Sequence, residues 1–124
     1  MKRFIIAAML ALTIAQPVYA EEPRDMKITC YCPESCPGEI TASGASVRVG
    51  IAASSRDHLG DCALIWTEEG QFLGYYECLD VGGTDAIKNG YVIDIWEPNM
   101  AAAKRIMAIT RGRVKVQFVE NPQG

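Results

Sequence analysis

DVGGTDAIKNGYVIDIW, residues 80–96, is the stretch that says most about the fold and the chemistry of this chain. Asp80 ends one apolar run and is followed by a glycine-rich turn, whereas Asp94 stands inside the next apolar run, between Ile93 and Ile95. An ionised aspartate is costly to bury, so such a residue either has a raised pKa or acquires hydrogen-bond partners. The pattern predicts a proton-transfer residue at Asp94; the simpler interpretation is a carboxylate on the wet face of a half-exposed strand.

The N-terminus has the pattern of a secretory leader. Two basic residues precede an uncharged apolar run over residues 4–15, and VYA at residues 18–20 occupies the positions that a signal peptidase reads. The run is shorter than the roughly 20 residues of a membrane-spanning helix. We therefore expect a signal peptide over residues 1–20. Residues 21–124 are expected to form one secreted domain with no stable membrane insertion after cleavage.

The charge balance bears on the partner. The chain has twelve basic and fifteen acidic residues, and loss of the two basic residues in the leader moves the formal net charge from −3 to −5. Nucleic-acid binding needs a concentrated basic surface. We therefore expect no nucleic-acid partner, whereas a glycan is compatible with this balance.

All five cysteines follow the expected cleavage site, at positions 30, 32, 36, 62 and 78. In an exported protein, disulfides are the first interpretation. Cys62 and Cys78 flank a turn over residues 68–71, which favours a bridge between them, and a Cys32–Cys36 bridge would close a tight loop between two prolines. One cysteine is then left over. A zinc site at the first three cysteines is the alternative, but the paired C-x-x-C spacing is absent, and we expect no metal or cofactor.

The hydrophobic pattern predicts a mainly β chain. Its alternation and its β-branched and aromatic content predict strands at residues 26–32, 47–53, 61–67, 72–79, 91–96 and 113–119. Asn99 is a candidate N-cap for a helix over residues 100–109, which Gly112 would end. Six short strands around one core, with one or two short helices, predict a small closed barrel.

Five short motifs support a more specific hypothesis. They are TASG (41–44), LG (59–60), DVGG (80–83), IKNG (87–90) and IDIW (93–96). In this order they resemble the three-aspartate (3D) domain of Gram-positive cell-wall proteins. That domain is similar to the catalytic barrel of membrane-bound lytic transglycosylase A and, more distantly, to rare lipoprotein A and the expansins. The resemblance covers about residues 27–119 and implies a six-stranded double-psi β-barrel.

The resemblance also implies an activity on peptidoglycan glycan strands. A lytic transglycosylase of this kind cleaves the MurNAc–GlcNAc β-1,4 bond without water and leaves a 1,6-anhydro sugar. By the same resemblance, Asp94 is the acid/base, and Asp80 lies nearby, where it orients substrate or raises the pKa of Asp94 by like-charge repulsion. The alternative is a barrel that binds peptidoglycan without cutting it, as expansin-like domains do.

Further substrate contacts follow from the resemblance. Thr41 and Ser43 are expected to line the groove with their hydroxyls. Gly82 and Gly83 are expected to allow close backbone approach and to offer N–H donors to the sugar. Asp85 adds a substrate-binding carboxylate in the loop, at a spacing that does not match the third aspartate of the family.

Two positions depart from the family pattern. Its remaining aspartate is expected in the strand before the LG turn, where this chain reads AAS at residues 52–54, and Val81 stands where threonine is usual. Two aspartates of three are therefore present.

Five further side chains have structural interpretations. His58 is predicted to be a surface turn residue rather than a catalytic base. Trp66 and the Tyr75–Tyr76 pair are predicted to pack in the core or across strands, with a sugar-stacking platform as the alternative. Trp96 is predicted to point to the face opposite Asp94 and to pack there.

Overall fold

The structure of the chain is a computed structural model, which describes residues 3–6, 18–34 and 41–121. Within these residues the elements are β1 (Arg3–Ile6), β2 (Val18–Glu21), β3 (Arg24–Tyr31), β4 (Ile51–Ser54), β5 (Cys62–Thr67), β6 (Phe72–Val81), α1 (Asp85–Lys88), β7 (Val92–Trp96), α2 (Met100–Thr110) and β8 (Arg113–Val119). A 3₁₀ turn, Arg56–His58, follows β4.

Six of these strands form a closed barrel. The order around the barrel is β8, β3, β7, β4, β6 and β5, and β5 pairs again with β8. The β3–β7 and β4–β6 pairs are parallel, and the remaining neighbours are antiparallel. The predicted mainly β fold with a closed six-stranded barrel is therefore confirmed. Its mixed strand pairing is compatible with a double-psi barrel.

The barrel core decides which face carries Asp94. Ile93 and Ile95 of β7 are both 0 % exposed and belong to the central apolar cluster. Because successive side chains of a strand point to opposite faces, Asp94 points outward from the barrel. Trp96, two residues further on, shares that outer face. The prediction that Trp96 faces away from Asp94 is therefore wrong.

Helix α2 lies where the sequence predicted it. The Asn99 side chain accepts a hydrogen bond of 2.8 Å from the Ala102 amide, as an N-cap does. Arg111, at φ 56°, and Gly112, at φ 78°, take the left-handed conformation that ends the helix. The sequence interpretation missed α1 and the 3₁₀ turn, since elements of three or four residues carry too little periodicity to recognise.

Strands β1 and β2 form an antiparallel pair beside the barrel. β1 pairs with β2, and β2 reaches β8 through Ala20 opposite Val119. All but Glu21 of this strand pair belongs to the leader predicted for residues 1–20, and cleavage of the leader remains a prediction. No helix within the described ranges is long and apolar enough to cross a membrane.

The predicted Cys62–Cys78 disulfide is not present: both residues are free thiols. The hairpin register pairs Cys62 with Glu77, whereas the Cys78 amide donates to the Asp61 carbonyl at 2.9 Å. A register difference of one residue sends the two side chains to opposite faces. Cys78 therefore packs in the core, while the Cys62 thiol donates to the Tyr75 hydroxyl at 2.8 Å. Cys36, and with it the predicted Cys32–Cys36 bridge, lies outside the described residues.

Helix α1 packs directly against the glycine turn that precedes it. A Cβ added to Gly82 would lie 2.1 Å from Ile87 Cγ2, whereas a Cβ on Gly83 would meet no atom within 4 Å. We therefore expect Gly82→Ala to lower the free energy of unfolding by about 1–3 kcal/mol, since α1 would have to move. The matched control Gly83→Ala should change it by less than about 1 kcal/mol in either direction. Urea unfolding followed by tryptophan fluorescence measures both, and equal effects would contradict this account of α1.

Candidate functional site

Strand β4 brings the two aspartates together. Ala53 pairs with Asp80 of β6 on one side and with Asp94 of β7 on the other. The β4–β6 register shifts between Ala52 and Ala53, so Ala52 pairs with Cys78 while Ala53 pairs with Asp80. Such a bulge changes the direction of a side chain. Here it places Asp80 opposite Ala53, which is also the partner of Asp94.

A cleft of about 290 Å³ lies over this part of the barrel. Its lining consists of Tyr31, Ala53, Asp80, Val81, Gly82, Gly83 and Asp94. The volume is at the lower end of the roughly 300–1,000 Å³ usual for small-molecule sites. The cleft therefore contains both candidate carboxylates and the glycine turn between their strands.

The environment of Asp94 favours its protonated form. Burial raises the pKa of the Asp94 carboxyl above its ordinary 3.8, and the negative charge of Asp80 also raises it. The Thr29 hydroxyl donates to Asp94 Oδ1 at 2.9 Å and opposes these effects, because it stabilises the anion. The balance leaves the pKa of Asp94 raised.

Asp80 is held by hydrogen-bond donors. The Tyr31 hydroxyl donates to Oδ2 at 3.3 Å, and the amides of Ala42 and Val81 donate to Oδ1 at 3.0 and 2.9 Å. Three donors fix this carboxylate in one orientation beside Asp94. The two aspartates thus differ in environment: Asp94 is half-buried and accepts from Thr29, whereas Asp80 accepts from three donors.

Thr41 and Ser43 stabilise the loop next to Asp80. Their hydroxyl oxygens lie 2.9 Å apart, and the Thr41 hydroxyl also donates to the Ala45 carbonyl at 3.0 Å. The Ser43 amide donates to the Leu79 carbonyl at 3.0 Å. These bonds hold the loop whose Ala42 amide reaches the carboxylate of β6. The two hydroxyls therefore order the loop, and neither residue belongs to the cleft lining.

Of the three remaining candidates in the glycine loop, Gly82, Gly83 and Asp85, only Gly83 is available to a ligand in the cleft. The Gly82 amide donates to the Ser54 carbonyl at 3.2 Å, so this N–H bonds the neighbouring strand rather than a ligand. Gly83 lines the cleft, and a Cβ added to it would meet no atom within 4 Å. Asp85 is exposed at the first turn of α1, outside the cleft lining.

Sequence reasoning missed Thr29 and Tyr31. They lie two residues apart on β3, so both point to the outer face, where the parallel register places Thr29 opposite Asp94. The alternation of β3 shows that they share a face. No local signal shows that β3 pairs with β7.

His58 is not a surface residue as predicted. It is 5 % exposed, and its ring stacks on Phe118 with a centroid distance of 3.7 Å and an interplanar angle of 8°. Packing predictions for the tyrosines hold in part: Tyr76 is buried in the core, whereas Tyr75 is 47 % exposed. Trp66 packs across strands, with its ring centroid 5.4 Å from that of Phe72.

No protein-family model matches the chain, and no curated protein matches it. Across residues 3–6, 18–34 and 41–121, no three His, Cys, Asp or Glu side chains are grouped so that they could hold a metal ion.

The described contacts predict opposite effects of two substitutions on the pKa of Asp94. Asp80→Asn removes a neighbouring negative charge and should lower it. Thr29→Val removes the donor that stabilises the anion and should raise it. Carbon-detected NMR of the aspartate carboxyl groups across a pH series measures both, with Asp94 assigned by its loss in Asp94→Asn. Thr29→Ser keeps the hydroxyl and is the matched control. An unchanged midpoint in Asp80→Asn would show that Asp80 does not act on Asp94.

Asp94 should also lower the stability of the fold. A carboxyl whose pKa is raised by folding destabilises the folded state above that raised pKa, and the penalty disappears below the unfolded value near 3.8. We therefore expect Asp94→Asn to raise the free energy of unfolding at pH 7 by about 0.5–2 kcal/mol. The gain should vanish in acid. Denaturant unfolding at both pH values tests this, and a pH-independent effect would contradict it.

Proposed function

We propose that the protein is a secreted peptidoglycan lytic transglycosylase that cleaves MurNAc–GlcNAc β-1,4 bonds to 1,6-anhydro products. The observation that carries the proposal is the pair of unlike carboxylates in one cleft. Burial raises the pKa of Asp94, and Asp80 lies beside it on the other side of Ala53. A raised pKa is what a carboxyl group needs in order to act as a general acid.

One carboxyl is sufficient for this reaction. Protonated Asp94 gives its proton to the glycosidic oxygen while the bond from that oxygen to the anomeric carbon breaks. The Asp94 carboxylate then takes the proton of the C6 hydroxyl of the same sugar, and O6 bonds to the anomeric carbon. Asp94 ends protonated, as it began, and no water is consumed. Proton transfer of this kind contributes about 10²–10⁴-fold to a rate.

The three donors to Asp80 favour this route over hydrolysis. In ordinary glycosidases a second carboxylate is the nucleophile or activates a water molecule. Asp80 has both oxygens engaged, by Tyr31 on one and by two amides on the other. It is therefore better suited to stabilise positive charge on the sugar ring than to attack it, and the C6 hydroxyl of the substrate supplies the nucleophile.

A second candidate is a barrel that binds glycan strands without cutting them. The observation in its favour is Ala53, because it stands between the two aspartates within the AAS segment where the 3D domain would supply its remaining carboxylate. Binding needs shape and donors but no raised acid. The raised pKa of Asp94 is the reason to rank the enzyme first.

The products distinguish the two candidates. Purified peptidoglycan is incubated with the protein, with Asp94→Asn and with Asp25→Asn, and the soluble products are analysed by mass spectrometry. We expect anhydro-muropeptides from the wild type, a loss of at least about 10²-fold in Asp94→Asn, and no loss in the control. Asp25 is a suitable control because it is an exposed aspartate paired with Lys115.

Two other outcomes overturn the proposal. Products with ordinary reducing ends would mean that water is the nucleophile. No products, with the protein sedimenting on the wall material, would leave the binding barrel as the function.

A further inference from the structure

A second, larger cavity lies close to the cleft. Its volume is about 460 Å³, and three segments line it: residues 21–24, residues 55, 57 and 58, and residues 88–90. Ser55 lies in its wall and Ala53 in the wall of the cleft, a separation of about 7 Å along an extended chain. Helix α1 begins just after the cleft glycines and ends in this cavity at Lys88. A branched ligand in the cleft can therefore extend into the cavity.

Polar side chains that pair with one another form the floor of the cavity. His58 Nδ1 lies 3.2 Å from Asp61 Oδ2, and Nε2 lies 3.5 Å from Glu21 Oε2. The Arg24 guanidinium forms an ion pair with Glu21 and lies 3.3 Å from His58 Nε2. Arg24 also lies over the Phe118 ring, on which His58 stacks. Packing and pairing thus fix the floor without any ligand.

The rim of the cavity is different. Glu22, Asp57 and Lys88 are all exposed there, and none of these three side chains forms a hydrogen bond or ion pair with another residue in the described part of the chain. The rim of the cavity is therefore lined by one lysine ammonium group and two carboxylates, and none of the three has a partner among the described residues. A ligand that carries both a carboxylate and an ammonium group would complement this rim.

We propose that this cavity binds the zwitterionic peptide branch of the glycan substrate, with a carboxylate of the branch on Lys88 and its ammonium on Glu22 and Asp57. The inference rests on the proposed function, since it assigns the peptide that MurNAc carries to a cavity beside the cleaved bond. The sugars present hydroxyl and acetamido groups to the cleft. The peptide stem supplies charges of both signs, which match the rim.

A direct test needs no activity. A synthetic stem tetrapeptide that contains a diamino acid is titrated into the ¹⁵N-labelled full chain, and amide shifts are followed by NMR. We expect saturable shifts at residues 55–58 and 88–90. Lys88→Gln should weaken this binding by about two- to fivefold, as for an exposed ion pair. The control Lys104→Gln changes an exposed lysine of α2 and should bind as the wild type does. No shifts, or equal affinity for all three proteins, would overturn the proposal.

A second test separates this inference from the proposed function. Co-sedimentation is measured with intact peptidoglycan and with the same glycan after enzymatic removal of its peptides. We expect tighter binding to intact material, and Lys88→Gln should reduce that difference by about the same two- to fivefold without affecting binding to bare glycan. Equal binding of the wild type to both materials overturns the peptide pocket. Absence of anhydro products together with a preference for intact material overturns the enzyme but supports the pocket.

Discussion

The position of β4 between β6 and β7 is the constraint on which the site depends. Because β4 runs parallel to β6 and antiparallel to β7, its residue Ala53 has a carboxylate on each side. The bulge after Ala52 completes this arrangement, since the unshifted register would place Leu79 there instead of Asp80. Closure of the barrel holds β4 between its two neighbours. The geometry of the acid pair is thus a property of the whole barrel rather than of one loop.

Strand β3 gives the two carboxylates different environments. Its side chains two residues apart share a face, so Thr29 reaches Asp94 while Tyr31 reaches Asp80. Thr29 supplies one hydrogen-bond donor to the half-buried Asp94. Tyr31 supplies a third donor to Asp80, which already accepts from two backbone amides. Repulsion between two neighbouring carboxylates lowers the stability of the folded state, and hydrogen-bond donors to them reduce that cost. The surrounding barrel keeps the pair together. Such local conflict is expected at a functional site.

The sequence contains most of this architecture in its local patterns. Alternation together with β-branched and aromatic content located the barrel strands, although the strand predicted at residues 47–53 spans only Ile51–Ser54. Asn99 marked the start of α2, and an aspartate between Ile93 and Ile95 indicated a perturbed acid. The local patterns did not reveal the strand pairings, because these depend on register and on closure of the barrel. One residue of register decides that Cys62 faces away from Cys78. Likewise, β2, β3 and β8 bury His58, and no pattern near that residue predicts it.

An alanine at position 53, rather than a carboxylate, affects the pKa of Asp94. A third carboxylate at Ala53 would repel both neighbours and would favour the protonated form of Asp94 still more. In this chain, burial is the largest cause of the raised pKa of Asp94, and the charge of Asp80 contributes less than the opposing hydrogen bond from Thr29. The acid therefore depends chiefly on its place between two core isoleucines. The apolar packing that closes the fold is therefore also the main cause of the raised pKa of Asp94.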